Sequence, residues 1–234
     1  MPRPWRPFLV AEVCFDFVTS LRMRRVIKML GAQPASSRAD ALLVESVQSV
    51  CLSVGVSPPE VLVIPEERVA NAAVLSNGPR EAFLIATRGL GLLLDPVELE
   101  GIVAHELVHV RRSEARTATK VALGSGLVWA YLHKRAWDPG GKQWGKLGAQ
   151  REIQADLLAA QATRYPPGLV SALEKVAPVS VLAPVRKPEE ALAPELLDRY
   201  MGVWATTGLW VAPAVADQAL TESFAMRLAV LAEL

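Results

Sequence analysis

The sequence predicts an α+β fold, in which a small antiparallel or mixed sheet packs on one central helix and the remainder is mostly helical. Three observations carry this. Short apolar runs of strand length cluster between residues 61 and 86. Longer stretches on both sides place apolar residues three and four apart, the period of a helix. Capping and turn residues stand at the junctions, with the strands grouped together and the helices grouped apart.

Residues 1–35 form an N-terminal helical segment, "VAEVCFDFVTSLRMRRVIKML" being its periodic part. Glu12 and Asp16 interrupt its apolar run and no small-residue cleavage site follows, so it does not read as a signal peptide. Its apolar positions followed by Arg22, Arg24, Arg25 and Lys28 suit either a helix docked on the domain or one lying on a membrane surface. The expected location is therefore cytoplasmic, or membrane-associated on the cytoplasmic side.

The core is expected over residues 36–177. "SSRADALLVESVQSVCLSVGV" opens with Ser37 and Asp40 at capping-box spacing. It repeats Leu43, Val47, Val50 and Val54 on one face and stops at Gly55. "VLVI" (61–64) is a buried strand. "NAAVLS" (71–76) and "EAFLIA" (81–86) are two strands joined by a turn at Asn77-Gly78. Asp95, Pro96 and Glu98 supply an N-cap, a first-turn proline and the closing acid of a capping box, so a helix starts at Pro96 and runs past His109. "VALGSGLVWAYL" (121–132) is a buried helix, too short to span a bilayer, and "AWDPGGKQWGK" (136–146) a loop. "GAQREIQADLLAAQATRY" (148–165) is a helix stopped by Pro166 and Pro167, and "GLVSALEKVA" follows as another. Residues 178–234 are a proline-broken, apolar, helical segment. Its 200–216 stretch carries no charge for 17 residues and is a second candidate for membrane contact.

With 25 basic and 24 acidic side chains, no long-range field favours nucleic acid as a partner. Two cysteines, Cys14 and Cys51, are too few for a disulfide framework.

The chemistry concentrates in "VAHELVHVRR" (103–112), which holds two of the three histidines. Positions four apart on a helix differ by about 40° and 6 Å, so His105 and His109 can direct ring nitrogens at one metal ion. Glu106 then lies beside that metal, where it can take a proton from an attacking water and hand it to a leaving amine. A catalytic zinc needs a third protein ligand and an open position. Glu152 and Asp156, four apart on the 148–165 helix, offer one. Glu152 is the expected ligand and Asp156 the acceptor that fixes a ligand imidazole. Of the competitors, His133 ends a hydrophobic helix with no acid four residues on. Glu114, taken as part of the His109 helix, would face about 140° away from the metal.

"NAAVLSNG…EAFLIATRGLGLLLDPVELEGIVAHELVHV" followed by "REIQADLLAA" resembles the zinc metallopeptidases that include HtpX and the CAAX prenyl protease, members of the gluzincins. The resemblance covers about residues 36–165. It implies a zincin-like fold, a Zn2+ cofactor held by His105, His109 and Glu152, and peptide-bond hydrolysis with Glu106 as base. Where that family carries a Thr/Ser-His-Pro run ahead of an arginine, this chain has Thr221, Glu222 and Ser223 before Arg227. Arg227 is then a candidate oxyanion donor, an ordinary salt bridge being the default role of a lone arginine, and Tyr165 and Tyr200 are unranked substitutes. Trp137 and Trp144 could touch substrate, packing being the default. The strand entered at Asn71-Ala72 is expected at the sheet edge facing the cleft. There Asn71, Ala72, Ala73 and Val74 would pair with an extended peptide or protein substrate. Two rival functions stand beside a general endopeptidase: a chaperone-like or regulatory protein with an inert metal site, and a membrane-bound sensor protease with one dedicated substrate.

Overall fold

The computed structural model describes residues 6–36, 38–65, 70–123, 142–182 and 218–234. In chain order these form α1 (Arg6–Met29), β1 (Gln33–Pro34), α2 (Ala41–Val54), β2 (Glu60–Ile64), β3 (Ala72–Ser76), β4 (Ala82–Thr87), α3 (Arg88–Leu93) and α4 (Pro96–Arg111). Then come α5 (Glu114–Ala122), α6 (Lys142–Thr163), α7 (Pro166–Leu182) and α8 (Gln218–Leu231). The α+β class is the one expected. His133, Trp137, Tyr200, the 200–216 stretch and most of 121–132 lie outside the described residues.

The four strands make one mixed sheet in the order β1-β2-β4-β3. β2 and β4 run parallel, while β3 pairs antiparallel with β4, Val74 opposite Leu84. Side chains alternate across a strand, and both faces here are covered. Val63, Ala72, Val74, Leu84 and Ala86 point into the main core with α2 and α4. Leu62, Leu75, Phe83 and Ile85 meet Met23, Val26 and Ile27 of α1 on the other side.

α2 ends as expected at Gly55, whose φ of 76° is the left-handed geometry of a helix stop. Its start differs. Asp40 makes no side-chain cap, because Arg88 holds its carboxylate at 2.6 Å. α4 begins with the expected capping box, Asp95 accepting from the Val97 and Glu98 backbone while Glu98 accepts from the Asp95 N–H. Glu98 is also bonded by Ser171 and Lys175 of α7.

α4 is the centre of the molecule, with α2, α6 and α7 packed around it and β3 alongside. Such a helix must be apolar on nearly every side, and Leu99, Ile102, Val103, Ala104, Leu107 and Val108 are all buried. Each large one contributes about 1.5–3 kcal/mol by leaving water. Gly101 allows the closest approach, since a Cβ there would lie 3.0 Å from the Leu169 Cα.

Three local departures follow from context. α6 begins at Lys142, so its first turns replace the last part of the loop expected over 136–146. Pro166 and Pro167 both stop α6 and open α7, a position proline favours because its missing N–H is unneeded there. α4 stops at Arg111, and Ser113 takes φ 59° before α5 begins.

Candidate metal centre

α4 carries His105 and Glu106 into the interior, where both are essentially without solvent exposure. α6 crosses α4 and presents Glu152 and Asp156 one turn apart on the facing side. The result is a triangle of lone pairs. His105 Nε2 lies 3.1 Å from Glu152 Oε2 and 3.3 Å from His109 Nε2, and the latter is 3.5 Å from the same Oε2. Ligand atoms about 2.0–2.1 Å from a tetrahedral ion are about 3.3 Å apart. The triangle therefore has the size of one tetrahedral face, with a fourth direction left for water or substrate.

The outer ring atoms decide which way the protons face. His105 Nδ1 is 2.7 Å from Asp156 Oδ1, and His109 Nδ1 is 2.9 Å from Glu114 Oε2. A carboxylate accepts only, so each Nδ1 carries an N–H outward, and each Nε2 is the atom that would offer a lone pair to a cation in the triangle. Two imidazole nitrogens and a carboxylate oxygen thus converge, a donor set that fits a cation.

The charges respond accordingly. Burial alone would lower His109, yet the Glu152 carboxylate and the Glu114 hydrogen bond push it up to about 9. Burial works against ionising Glu152 as well, but the His109 and His105 rings hold it well below the usual carboxylate range. Burial raises Glu106, the neighbouring imidazoles opposing it. Its Oε2 is buried with no hydrogen-bond partner among the described residues. An unpaired buried carboxylate oxygen is costly, and here it stands beside the metal triangle.

The surrounding groups pair in turn. Arg227 of α8 donates through Nε and Nη2 to both oxygens of Asp156, at 2.6 and 2.8 Å. Arg151 donates twice to Glu152 Oε1, at 3.1 and 2.9 Å, which leaves Oε2 for the triangle. Arg112 bridges Glu114 and Gln154 at 2.6 Å each.

His105, His109, Glu152 and Asp156 thus come together, with Glu106 alongside. Arg227 is placed on Asp156, in the ordinary salt bridge that is the default for a lone arginine. Tyr165 is exposed, past the end of α6. Glu114 departs from expectation: the left-handed turn at Ser113 ends α4 and swings the acid back onto His109. Only the local sequence "RRSEAR" carries that break, and no helix-stop glycine announces it.

β3 is indeed an edge strand, although its five residues are all buried. Asn71 accepts from Thr87 through its carbonyl, so odd-numbered residues bond toward β4 and even ones point away. Of these outward N–H groups, that of Ala72 is taken by Asn71 Oδ1 and that of Ser76 by Thr119 Oγ1. Val74 stands between them.

The family model of Peptidase family M48 matches residues 37–208. The chain belongs to that family. Membership implies a peptidase type that works with a bound metal, and the triangle above is where this M48 chain could hold one. Among curated proteins, it is 28% identical over 197 residues to a "Protease HtpX homolog" of Dictyoglomus thermophilum, covering 72% of this chain and 64% of that protein. A "Protease HtpX homolog" of Caldanaerobacter subterraneus is 29% identical over 198 residues, 70% and 65% of the two chains. One from Acidiphilium cryptum is 38% identical over 105 residues, 45% and 36%. The chain spans a little under two thirds of the length of the first two relatives. No solved structure matches it.

Proposed function

We propose that this M48 chain is a zinc-dependent endopeptidase acting on extended protein segments. One observation carries the reading: two imidazole nitrogens and a carboxylate oxygen at tetrahedral spacing, beside a Glu106 whose buried Oε2 has no hydrogen-bond partner among the described residues. A structural metal site needs no base next to it, whereas hydrolysis does. Zn2+ held there by His105, His109 and Glu152 would polarise the scissile carbonyl and acidify the attacking water.

The chain's own groups do the rest. Glu106 takes the proton of the attacking water and delivers it to the leaving amine, a transfer favoured by the burial that raises its carboxyl. Asp156 and Glu114 hold the two imidazoles in the Nδ1–H tautomer, and Arg151 turns Glu152 so that a single oxygen faces inward. With Arg227 engaged by Asp156, it serves as a positioning residue. Substrate would lie along β3, pairing its backbone with Val74 between the satisfied N–H groups of Ala72 and Ser76. Main-chain pairing of this kind carries little side-chain selectivity.

The test is cleavage of casein before and after chelation. Activity should vanish with chelator and return with one equivalent of zinc. Cleavage that persists in chelator would refute the metal reading.

A further inference from the structure

On the metal reading proposed above, side chains from α4 and α6 must meet at one point, and groups outside the triangle must hold the two helices in register. Each histidine is backed by a carboxylate and then by a guanidinium. Behind His105 stand Asp156 and Arg227, all of them buried. Behind His109 stand Glu114 and Arg112, at the solvent edge. Arg112 Nε donates to Glu114 Oε1 at 2.6 Å, while Glu114 Oε2 takes the ring N–H at 2.9 Å.

The His109 chain does not end at its guanidinium. Arg112 Nη2 donates at 2.6 Å to Gln154 Oε1 on α6, two residues past Glu152. A ring of contacts therefore closes around the site. It runs from His109 to Glu114, from Glu114 to Arg112, and from Arg112 to α6. Along α6 it returns to Glu152, whose Oε2 lies 3.5 Å from His109 Nε2.

An exposed arginine beside an acid is ordinarily a surface pairing of little consequence, and the Arg112 side chain is 36% exposed. Three features separate it from that case. The guanidinium is planar and its donors are fixed relative to one another, so acceptors on two elements fix each other's positions through it. The other oxygen of the same Glu114 holds an imidazole of the triangle, so slack in the fork passes directly to His109. Ser113, between the arginine and the acid, takes φ 59°. A non-glycine residue is held in that left-handed region only where its surroundings over-determine it, and the turn is what brings Glu114 back to the ring. We propose that Arg112 is a positioning residue for the metal site. Its fork registers α6 against the end of α4 and so sets how His109 and Glu152 face one another.

The experiment is a zinc competition titration of the full chain against a chromophoric chelator, with the visible absorption of the Co2+-substituted protein read alongside. Arg112→Ala should weaken zinc by about tenfold and shift the cobalt bands, which follow the placement of the ligands. Gln154→Ala should move both readings in the same direction without touching α4. Arg112→Lys keeps the charge but loses the fork, and should bind zinc as weakly as Arg112→Ala. Arg111→Ala removes the same charge one residue away and should leave zinc affinity unchanged. In a Glu114→Gln background, Arg112→Ala should add little, because the two residues act in one chain. Arg111, Arg112 and Gln154 are all exposed, so the urea midpoint of the metal-free protein is expected to stay the same. Wild-type affinity and cobalt bands in Arg112→Ala would overturn the proposal while leaving the metal reading in place. Full rescue by lysine, an equal loss in Arg111→Ala, or additivity with Glu114→Gln would do the same. A wild-type chain that binds no zinc would overturn the metal reading and this proposal with it.

Discussion

Glu114 and Asp156 each hold one imidazole by its Nδ1–H, and each is held in turn by an arginine. Removing either carboxylate's charge should release the ring and weaken zinc by about 10–100-fold. Glu114→Gln and Asp156→Asn are therefore expected to behave alike in a competition titration with a chromophoric chelator, while Glu152→Gln removes a ligand and strips the metal. Unaltered zinc affinity in Glu114→Gln would reduce the His109 contact to a surface pairing. The sequence made one of these two acids legible and not the other. Asp156 stands four residues from Glu152, so helix periodicity alone puts both on one face. Glu114 reaches His109 only because Ser113 leaves the helical region, a backbone event with no glycine or proline to signal it.

Helix junctions hold α4 in place, and they respond to acid and to volume. Burial by itself would raise the Glu98 carboxyl, but Lys175, Ser171 and the Asp95 N–H hold it below the ordinary range. A carboxylate depressed in the folded state stabilises above its unfolded pKa, and that contribution is lost as pH falls through its folded pKa. Glu98→Gln should thus cost about 1–2 kcal/mol in urea unfolding at neutral pH, a difference that closes in acid. A cost unchanged down to the pH where Glu98 is protonated would count against the ion pair. At the α4–α7 crossing, Gly101→Val should cost about 1–3 kcal/mol or more, because Leu169 backbone occupies the space. Caps and periodicity made α4 readable from Asp95 onward, as Gly55 did for the end of α2. β1 and α3 were not readable: β1 has two residues and α3 six, too short for a period to show. Ser37 and Asp40 have the spacing of a capping box, but the sequence cannot display Arg88 arriving from the start of α3 to hold the Asp40 carboxylate.

Across the whole molecule, the site joins parts distant in sequence. On the proposed reading α4 would supply two ligands and the base and α6 the third ligand, while α8 brings the guanidinium behind Asp156. The arrangement was half visible beforehand, since spacing reveals what one helix presents but not which helices cross. The α8 contribution depends on tertiary packing, so Arg227 could be foreseen as important without its partner. The central claim is that Glu106 acts as a base beside a metal it does not bind. Glu106→Gln tests it most directly, with zinc content and casein cleavage measured on the same preparation. One zinc per chain with cleavage reduced by several orders of magnitude is the predicted result. Full cleavage by that variant, or loss of its zinc together with activity, would contradict the assignment.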